Sequence, residues 1–294
     1  MAKKNKTLQE LTIKDNFMFT AVMSNEDNAK AVLECILGIE IEYVKVEYEK
    51  TILYNPEYKS IRLDVYIKDG NGRFFNVEMQ SASEEVFKRS RYYHSIIDSD
   101  ILESGADYET LSDSYVIFIC DFDPVGFGKY KYTVKKGFKE AGDYEYNDGS
   151  YTLFLSTKGT NESEESKDLV SFLKYVEAAQ NDCNIDYSSE CVRRLQKSVN
   201  DIKASRKMRK QYMNWQEIRR NDFNEGKAEG KAEDLNMVRS MLLDAISTIG
   251  VASDELVERI MKIDNLENLN VAVKRAIIAT SVSEFEEELT KINL

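Results

Sequence analysis

Residues 61–80, IRLDVYIKDGNGRFFNVEMQ, contain the pattern that decides the fold of this chain. Apolar and polar residues alternate along 61–68 and again along 73–80, as in β-strands that bury one face. Between them, the sequence DGNG supplies the glycines that a tight loop with positive φ angles requires. The stretch therefore predicts an antiparallel hairpin.

The loop of this hairpin also predicts its register. If residues 70–72 form a three-residue loop, Asp69 pairs with Arg73, and all facing pairs sum to the same number. Counting back along both strands places Asp64 opposite Glu78. The apolar positions point to the other face; they are Leu63, Val65, Ile67, Phe75, Val77 and Met79. The register therefore predicts two neighbouring carboxylates.

Two facing carboxylates predict a cation site. Directly opposed residues of an antiparallel pair have Cβ atoms roughly 5 Å apart, where like charges destabilise each other. Oxygen ligands on rigid strands suit Mg²⁺ or Mn²⁺, which keep several waters and bind a substrate phosphate. Gln80 shares the face of Glu78 and would lie beside the metal. The alternation alone favours a simpler alternative, in which this face is the solvated side of a half-buried hairpin.

Longer stretches of the chain resemble one protein family. Asp64 followed by Glu78-Met79-Gln80 looks like the metal-binding signature of the PD-(D/E)xK nucleases, an acid on one strand and an acid-x-lysine on the next. The surrounding segments resemble the Rpn family of recombination-promoting nucleases and putative transposases; they are RLDVYIKDGNGRFFNVEMQ, FKRSRYYHS, SYVIFICDFDPVG, NDGSYTLFLSTKG and FLKYVE. The likeness extends over residues 10–235.

This resemblance implies an α/β restriction-endonuclease-like core, with a mixed sheet flanked by helices. It implies metal-dependent endonuclease cleavage of DNA, with Asp64 and Glu78 as ligands of Mg²⁺ or Mn²⁺, Gln80 at the lysine position and no nucleotide cofactor. The fold often adds an acid from its first helix, for which Asp15 is the candidate, although capping that helix is its simpler role. Both carboxylates of the pair are expected outside the apolar core, so alanine there should abolish cleavage and retain the fold.

Gln80 departs from the usual signature of these nucleases. A lysine places a positive charge near the attacking water or the phosphate, whereas an amide orients groups only by hydrogen bonds. Two further interpretations therefore stay open beside the enzyme. One is a catalytically weak or inactive DNA-binding or assembly protein that retains the nuclease fold. The other is an interaction protein that works through an acidic helical tail.

Composition restricts the chemistry of the remaining residues. The single histidine, His94, disfavours histidine metal cages and Ser-His-Asp catalysis. The four cysteines form no CxxC pair, which disfavours a zinc site or a disulfide framework and fits reduced thiols in the cytoplasm. No apolar run approaches the length of a membrane span, so no membrane partner is expected.

The net charge of −12 disfavours nucleic-acid binding over the whole surface but allows local basic patches. The helix predicted after the hairpin carries Lys88, Arg89 and Arg91. A second basic stretch contains Arg193, Arg194, Lys197, Lys203, Arg206 and Lys207. Both sets are candidate DNA contacts. An ordinary solvated helix face explains the first set as well, and a helix facing the acidic remainder of the chain explains the second.

The pattern predicts three segments: a nuclease-like core at residues 1–160, a basic helical extension at 161–235, and a small helical module at 236–294. The extension ends in GKAEGKAE, at 226–233, which suits either close helix approach in a dimer or a flexible linker. The final module is interpreted as an interaction or oligomerisation unit. A two-fold dimer would be the simplest arrangement for cutting both DNA strands.

Overall fold

The computed structural model describes residues 6–52, 61–81, 85–142, 144, 146–178 and 185–292. Within these ranges, 48–52, 61–62, 222–226 and 228–229 are described by their backbone alone. The chain divides into two compact units, Met1–Tyr212 and Met213–Leu294. Each unit is treated separately below.

The first unit is organised around a mixed sheet. Its described strands are β1 (Val44–Ile52), β2 (Ile61–Asp69), β3 (Phe74–Gln80), β4 (Ser114–Cys120), β5 (Lys131–Thr133) and β6 (Ser150–Ser156). Their order is β1-β2-β3-β4-β6-β5, in which β3, β4 and β6 run parallel and the other neighbours are antiparallel. Helices flank this sheet, which confirms the predicted α/β fold.

The hairpin of β2 and β3 has the predicted register. Val65 pairs with Val77, and the N–H of Asp69 donates to the carbonyl of Arg73 at 3.0 Å. The loop is held by the buried Asp69 carboxylate, whose Oδ1 accepts the N–H groups of Asn71 and Arg73 at 3.0 and 2.9 Å. Its Oδ2 pairs with the Arg73 guanidinium at 2.6 Å. Local turn chemistry thus fixes the register from which the site is built.

The described α-helices that lie wholly within the first unit are α1 (Asn16–Met23), α2 (Glu26–Leu37), α3 (Val86–Ile101), α4 (Lys167–Glu177) and α5 (Glu190–Ala204). α1 contacts β1 and β2, α2 contacts β1, and α5 packs on α1, α2 and α4. α2 begins where Asn25 accepts the N–H of Asn28 and ends at Gly38, which has a φ of +68°. These signals were readable in the sequence.

α3 covers the face of the hairpin that carries Glu78. Its apolar side chains pack with Tyr66, Val116, Phe118 and Phe154 of the sheet. Leu63, which alternation assigns to the opposite face, belongs to the same apolar cluster. The face of the hairpin that carries Glu78 is therefore buried beneath α3. The simpler alternative, in which this face is the solvated side of a half-buried hairpin, is wrong.

His94, on α3, links two neighbouring strands. Its Nδ1 lies 3.0 Å from the hydroxyl of Ser114 on β4, and its Nε2 lies 2.9 Å from the hydroxyl of Thr152 on β6. Burial lowers the pKa of His94 to about 4, and Lys136 acts in the same direction. The imidazole is therefore a neutral structural group at pH 7.

The first unit extends beyond the predicted boundary at residue 160. The apolar faces of α4 and α5 are buried, including Leu169, Phe172, Val192 and Leu195. Because these helices pack on α1 and α2, they belong to the core and are not a separate extension. The compact unit ends at Tyr212 instead, whose hydroxyl donates to the carbonyl of Lys6.

The second unit is helical. α6 (Arg206–Ser247) begins in the first unit and remains helical through residues 226–233, so the GKAE repeat has no flexible linker structure. The helices that follow are α7 (Asp254–Met261), α8 (Leu266–Ile278) and α9 (Val282–Thr290). The side chains of Ser253, Asn265 and Ser281 cap the N-termini of these three helices. None of the described helices has the length and apolar character that crossing a membrane requires.

Candidate active site

The regular backbone ladder between β2 and β3 ends at Val65, and side chains continue it. The N–H of Asp64 donates to Oε1 of Glu78 at 3.1 Å. The N–H of Met79 donates to Oδ2 of Asp64 at 3.3 Å. Each carboxylate therefore binds the backbone of the opposite strand, and the two side chains lie next to each other. The facing of Asp64 and Glu78 predicted from the hairpin register is present.

The two carboxylates differ in burial. Glu78 is 3% exposed beneath α3, whereas Asp64 is half-buried. Burial raises the pKa of Glu78 above its ordinary range, the nearby charge of Asp64 raises it further, and Arg89 opposes both. The expectation that both carboxylates lie outside the core is wrong for Glu78, because α3 covers it. Alanine at this position would also leave the N–H of Asp64 without its acceptor.

Arg89 enters the site from the first turns of α3. Its Nη1 donates to Oε1 of Gln80 at 2.8 Å, and its Nη2 donates to the hydroxyl of Tyr93 at 2.7 Å. Nη2 also lies 3.4 Å from Oε2 of Glu78. The guanidinium lies over the rings of Tyr93 and Phe118, at 5.4 and 5.5 Å from their centroids. The spacing of α3 predicted Arg89 on its flank as a DNA contact, and the structure places it in the carboxylate site.

The other basic residues of α3 point elsewhere. Lys88 and Arg91 are exposed, and Lys88 pairs with Glu85 at 3.1 Å. Both could meet a phosphate beside the site, since phosphate contacts position a protein on DNA. Their role in DNA binding stays a prediction.

The second basic set lies in a different layer from α3. Along α5, Arg193, Arg194 and Lys197 are exposed, and Arg194 pairs with Asp27 at 3.5 Å. Lys203 is half-buried, and burial lowers its pKa. Arg206 and Lys207 are exposed at the start of α6. Because α5 packs on α1, α2 and α4, the structure does not gather these residues with Arg89. Their DNA contact also stays a prediction.

Asp15 occupies the N-cap position of α1, although its side chain does not cap the helix. Its Oδ2 accepts the N–H of Thr12 at 2.8 Å, and its Oδ1 pairs with Lys6 at 2.7 Å. None of these bonds reaches the hairpin. A catalytic role for Asp15 stays a prediction that these contacts do not favour.

The donor set of the site fits a hard divalent cation. Asp64 and Glu78 are the residues of the site that would hold such a cation. Within the described residues, no cluster of three or more His, Cys, Asp or Glu side chains could hold a metal. Two carboxylates, with water and a phosphate supplying the other ligands, are typical of Mg²⁺ or Mn²⁺ sites.

A second charged cluster, which the sequence did not reveal, lies where β4 and β6 end. Asp121 pairs with Lys14 at 3.1 Å and with Lys158 at 3.3 Å. Glu177, at the end of α4, accepts a hydrogen bond from Thr157 at 2.6 Å and pairs with both lysines. The members come from four distant segments, so no spacing along the chain could have predicted them. Their charges balance within the cluster, which explains it as a structural feature.

Comparison with known proteins identifies this arrangement. Residues 13–228 match the family model of the PD-(D/E)XK nuclease family transposases. The match includes the hairpin, α3 and the whole sheet, and it covers more than two thirds of the chain. No curated protein and no solved structure matches the chain.

Proposed function

Because the chain belongs to the PD-(D/E)XK nuclease family transposases, we propose that it is a metal-dependent endonuclease that hydrolyses DNA phosphodiesters. The observation that carries this proposal is the pair of Asp64 and Glu78, held side by side by backbone N–H groups of the opposite strands. Mg²⁺ or Mn²⁺ is the proposed cofactor, and DNA recombination is the proposed context.

Asp64 and Glu78 would hold the cation. When bound, such an ion polarises a phosphoryl oxygen and lowers the pKa of a water. The chain contributes preorganisation, because both carboxylates are already oriented by the hairpin and need little rearrangement. In the reaction, a water oxygen forms a bond to phosphorus and the bond from phosphorus to the leaving sugar oxygen breaks. That oxygen takes up a proton, leaving a hydroxyl end and a phosphate end.

The DNA would be held by local basic surfaces, since the net charge of the chain is −12. Lys88 and Arg91 are exposed on the helix that covers the site and would contact phosphates flanking the cut. The basic residues of α5 and the start of α6 would add affinity from a second layer. Cleavage of both strands would be simplest in a two-fold dimer. The buried free thiols of Cys35, Cys120 and Cys191 suit action in the cytoplasm.

The test uses supercoiled plasmid with the wild type, Asp64→Asn and Glu78→Gln. The amides keep an oxygen for the backbone N–H of the opposite strand and remove the charge that a cation needs. We expect cleavage by the wild type in Mg²⁺ or Mn²⁺, none with EDTA, and loss of cleavage in both variants. Ca²⁺ should support binding without cleavage.

A matched control excludes contaminating nucleases and general charge effects. Glu109→Gln makes the same change at an exposed position. It should cleave like the wild type after the same purification. Metal-dependent cleavage that persists in Glu78→Gln would show that the assignment of the site is wrong.

The alternative is a DNA-binding or assembly protein that retains the fold and cuts weakly or not at all. Gln80 favours it, because position 80 lacks the charge that the usual lysine supplies. An interaction protein that works through its acidic helical tail is a separate, third interpretation. The plasmid experiment separates the two functions: the alternative gives DNA binding by the wild type without cleavage in any metal.

A further inference from the structure

We propose that Arg89 supplies the positive charge at this site, in contact with the phosphate to be cut, and that Gln80 positions it. This inference rests on the proposed nuclease function. The positive charge that a lysine at position 80 of β3 would usually supply is assigned to Arg89 of α3. This assignment also gives Gln80 a role, which is to hold the guanidinium in place.

The first argument is position. Nη2 of Arg89 lies 3.4 Å from Oε2 of Glu78, while the N–H of Asp64 donates to the other carboxylate oxygen, Oε1. A cation bound by Glu78 would therefore have the guanidinium beside it. A phosphate that bridges to that cation would meet the guanidinium as well, because both charges adjoin the same carboxylate.

The second argument is preorganisation. The guanidinium is fixed by Gln80, by the Tyr93 hydroxyl and by the faces of two aromatic rings. The Arg89 side chain is nevertheless 29% exposed, which leaves it accessible to a ligand. A guanidinium is planar and always charged, and its fork of N–H donors matches the geometry of a phosphate.

The third argument explains Gln80. Its side-chain oxygen accepts a hydrogen bond from Arg89 at 2.8 Å. A lysine at position 80 would place a second cation against the guanidinium, in a partly buried site where like charges repel strongly. A neutral acceptor avoids this repulsion and fixes the arginine. One cause therefore explains both the glutamine at position 80 and the inward position of Arg89. The site holds a single positive charge, and it is supplied by Arg89.

The chemical role follows from the charge of the reaction. Negative charge develops on the phosphoryl oxygens as water attacks, and a fixed cation stabilises that charge without rearranging. Arg89 would therefore act mainly on the rate of cleavage. The exposed Arg91, two residues further along α3, would act mainly on DNA affinity.

The experiment compares the wild type, Arg89→Gln, the control Arg220→Gln and the double variant Gln80→Lys/Arg89→Gln in the full-length protein. Single-turnover cleavage of a labelled duplex in Mn²⁺ separates rate from affinity. We expect Arg89→Gln to lower the cleavage rate roughly 10²- to 10³-fold. Arg220→Gln, the same change at an exposed arginine outside the site, should keep the cleavage rate within about threefold of wild type. The double variant returns the cation to β3 and should recover at least about tenfold over Arg89→Gln.

Two further measurements show that Arg89→Gln retains its fold: an unchanged melting temperature, and Mn²⁺ binding at least as tight as in the wild type, since a nearby cation has been removed. Arg89→Gln cleaving within about threefold of wild type, while Glu78→Gln is inactive, would overturn this inference and leave the nuclease standing. A double variant no faster than Arg89→Gln would also overturn it, because the loss would then not be one of charge. A wild type that does not cleave refutes the proposed function, and this inference with it.

Discussion

Replacement of Asp69 by alanine should destabilise the first unit severely, although Asp69 lies five residues from the nearest candidate ligand. The Asp69 side chain is 1% exposed and accepts two loop N–H groups as well as the Arg73 guanidinium. Its removal leaves those donors without their partner inside the loop that fixes the hairpin register.

The magnitude follows from these contacts. Hydrogen bonds to a charged group contribute about 1.5–3 kcal/mol each, and loss of one partner of a buried ion pair costs about 3–5 kcal/mol. Arg73 is 20% exposed and can turn to water, which reduces the cost. We expect Asp69→Ala to lower the free energy of unfolding by about 3–4 kcal/mol. Asp69→Asn keeps one acceptor and should lose about half as much.

Urea unfolding followed by far-UV circular dichroism gives the free energy. Fluorescence is unsuitable, because the single tryptophan, Trp215, belongs to the second unit. Asp107→Ala, at an exposed position, is the control and should change stability by less than about 0.5 kcal/mol. If Asp69→Ala unfolds within about 1 kcal/mol of the wild type, the loop carboxylate does not hold the hairpin, and the reasoning is refuted.

Three other predictions concern stability. The pKa of His94 is lowered from 6.5 to about 4, so the folded state binds fewer protons at this residue than the unfolded chain does. The free energy of unfolding should therefore fall by roughly 3 kcal/mol as the pH drops from 7 to 4. Urea titrations of His94→Gln should show a weaker pH dependence of stability than the wild type, and an equal pH dependence would contradict the assignment. Phe285→Ala, in the core of the second unit, should cost about 3–5 kcal/mol, detected by Trp215 fluorescence during urea unfolding. Gly159→Ala would place a Cβ within 2.6 Å of the backbone nitrogen of Tyr130, and it should lower the free energy of unfolding by about 1–3 kcal/mol. Urea unfolding followed by circular dichroism measures this loss. An unchanged urea midpoint would show that the loop can shift to accept the Cβ.

The sequence was sufficient for the features that local chemistry decides. The hairpin register followed from its loop residues, because glycines and Asp69 leave few alternatives for the turn. The caps at Asn25, Ser253 and Asn265 are local in the same way, because each side chain bonds an amide two or three residues away. The facing of Asp64 and Glu78 is a consequence of that local register.

Features decided by tertiary packing were not predictable in this way. The burial of Glu78 depends on how α3 lies across the sheet, and the inward turn of Arg89 depends on Gln80 and two aromatic rings. The unit boundary at Tyr212 depends on α4 and α5 packing on helices more than a hundred residues earlier. Helical spacing reports which residues share a face, but it does not report what covers that face.

The bonds by which the two carboxylates continue the strand ladder affect how related sequences are interpreted. A lineage that stopped cutting DNA would still need an acceptor for the N–H of Asp64 and another for the N–H of Met79. Selection for folding alone would then preserve both acids long after catalysis had ended. Substitutions should accumulate first at Arg89 in such a lineage, because removal of its side chain leaves no backbone donor without an acceptor. The residue at position 89 would therefore distinguish active from inactive relatives better than the two acids do.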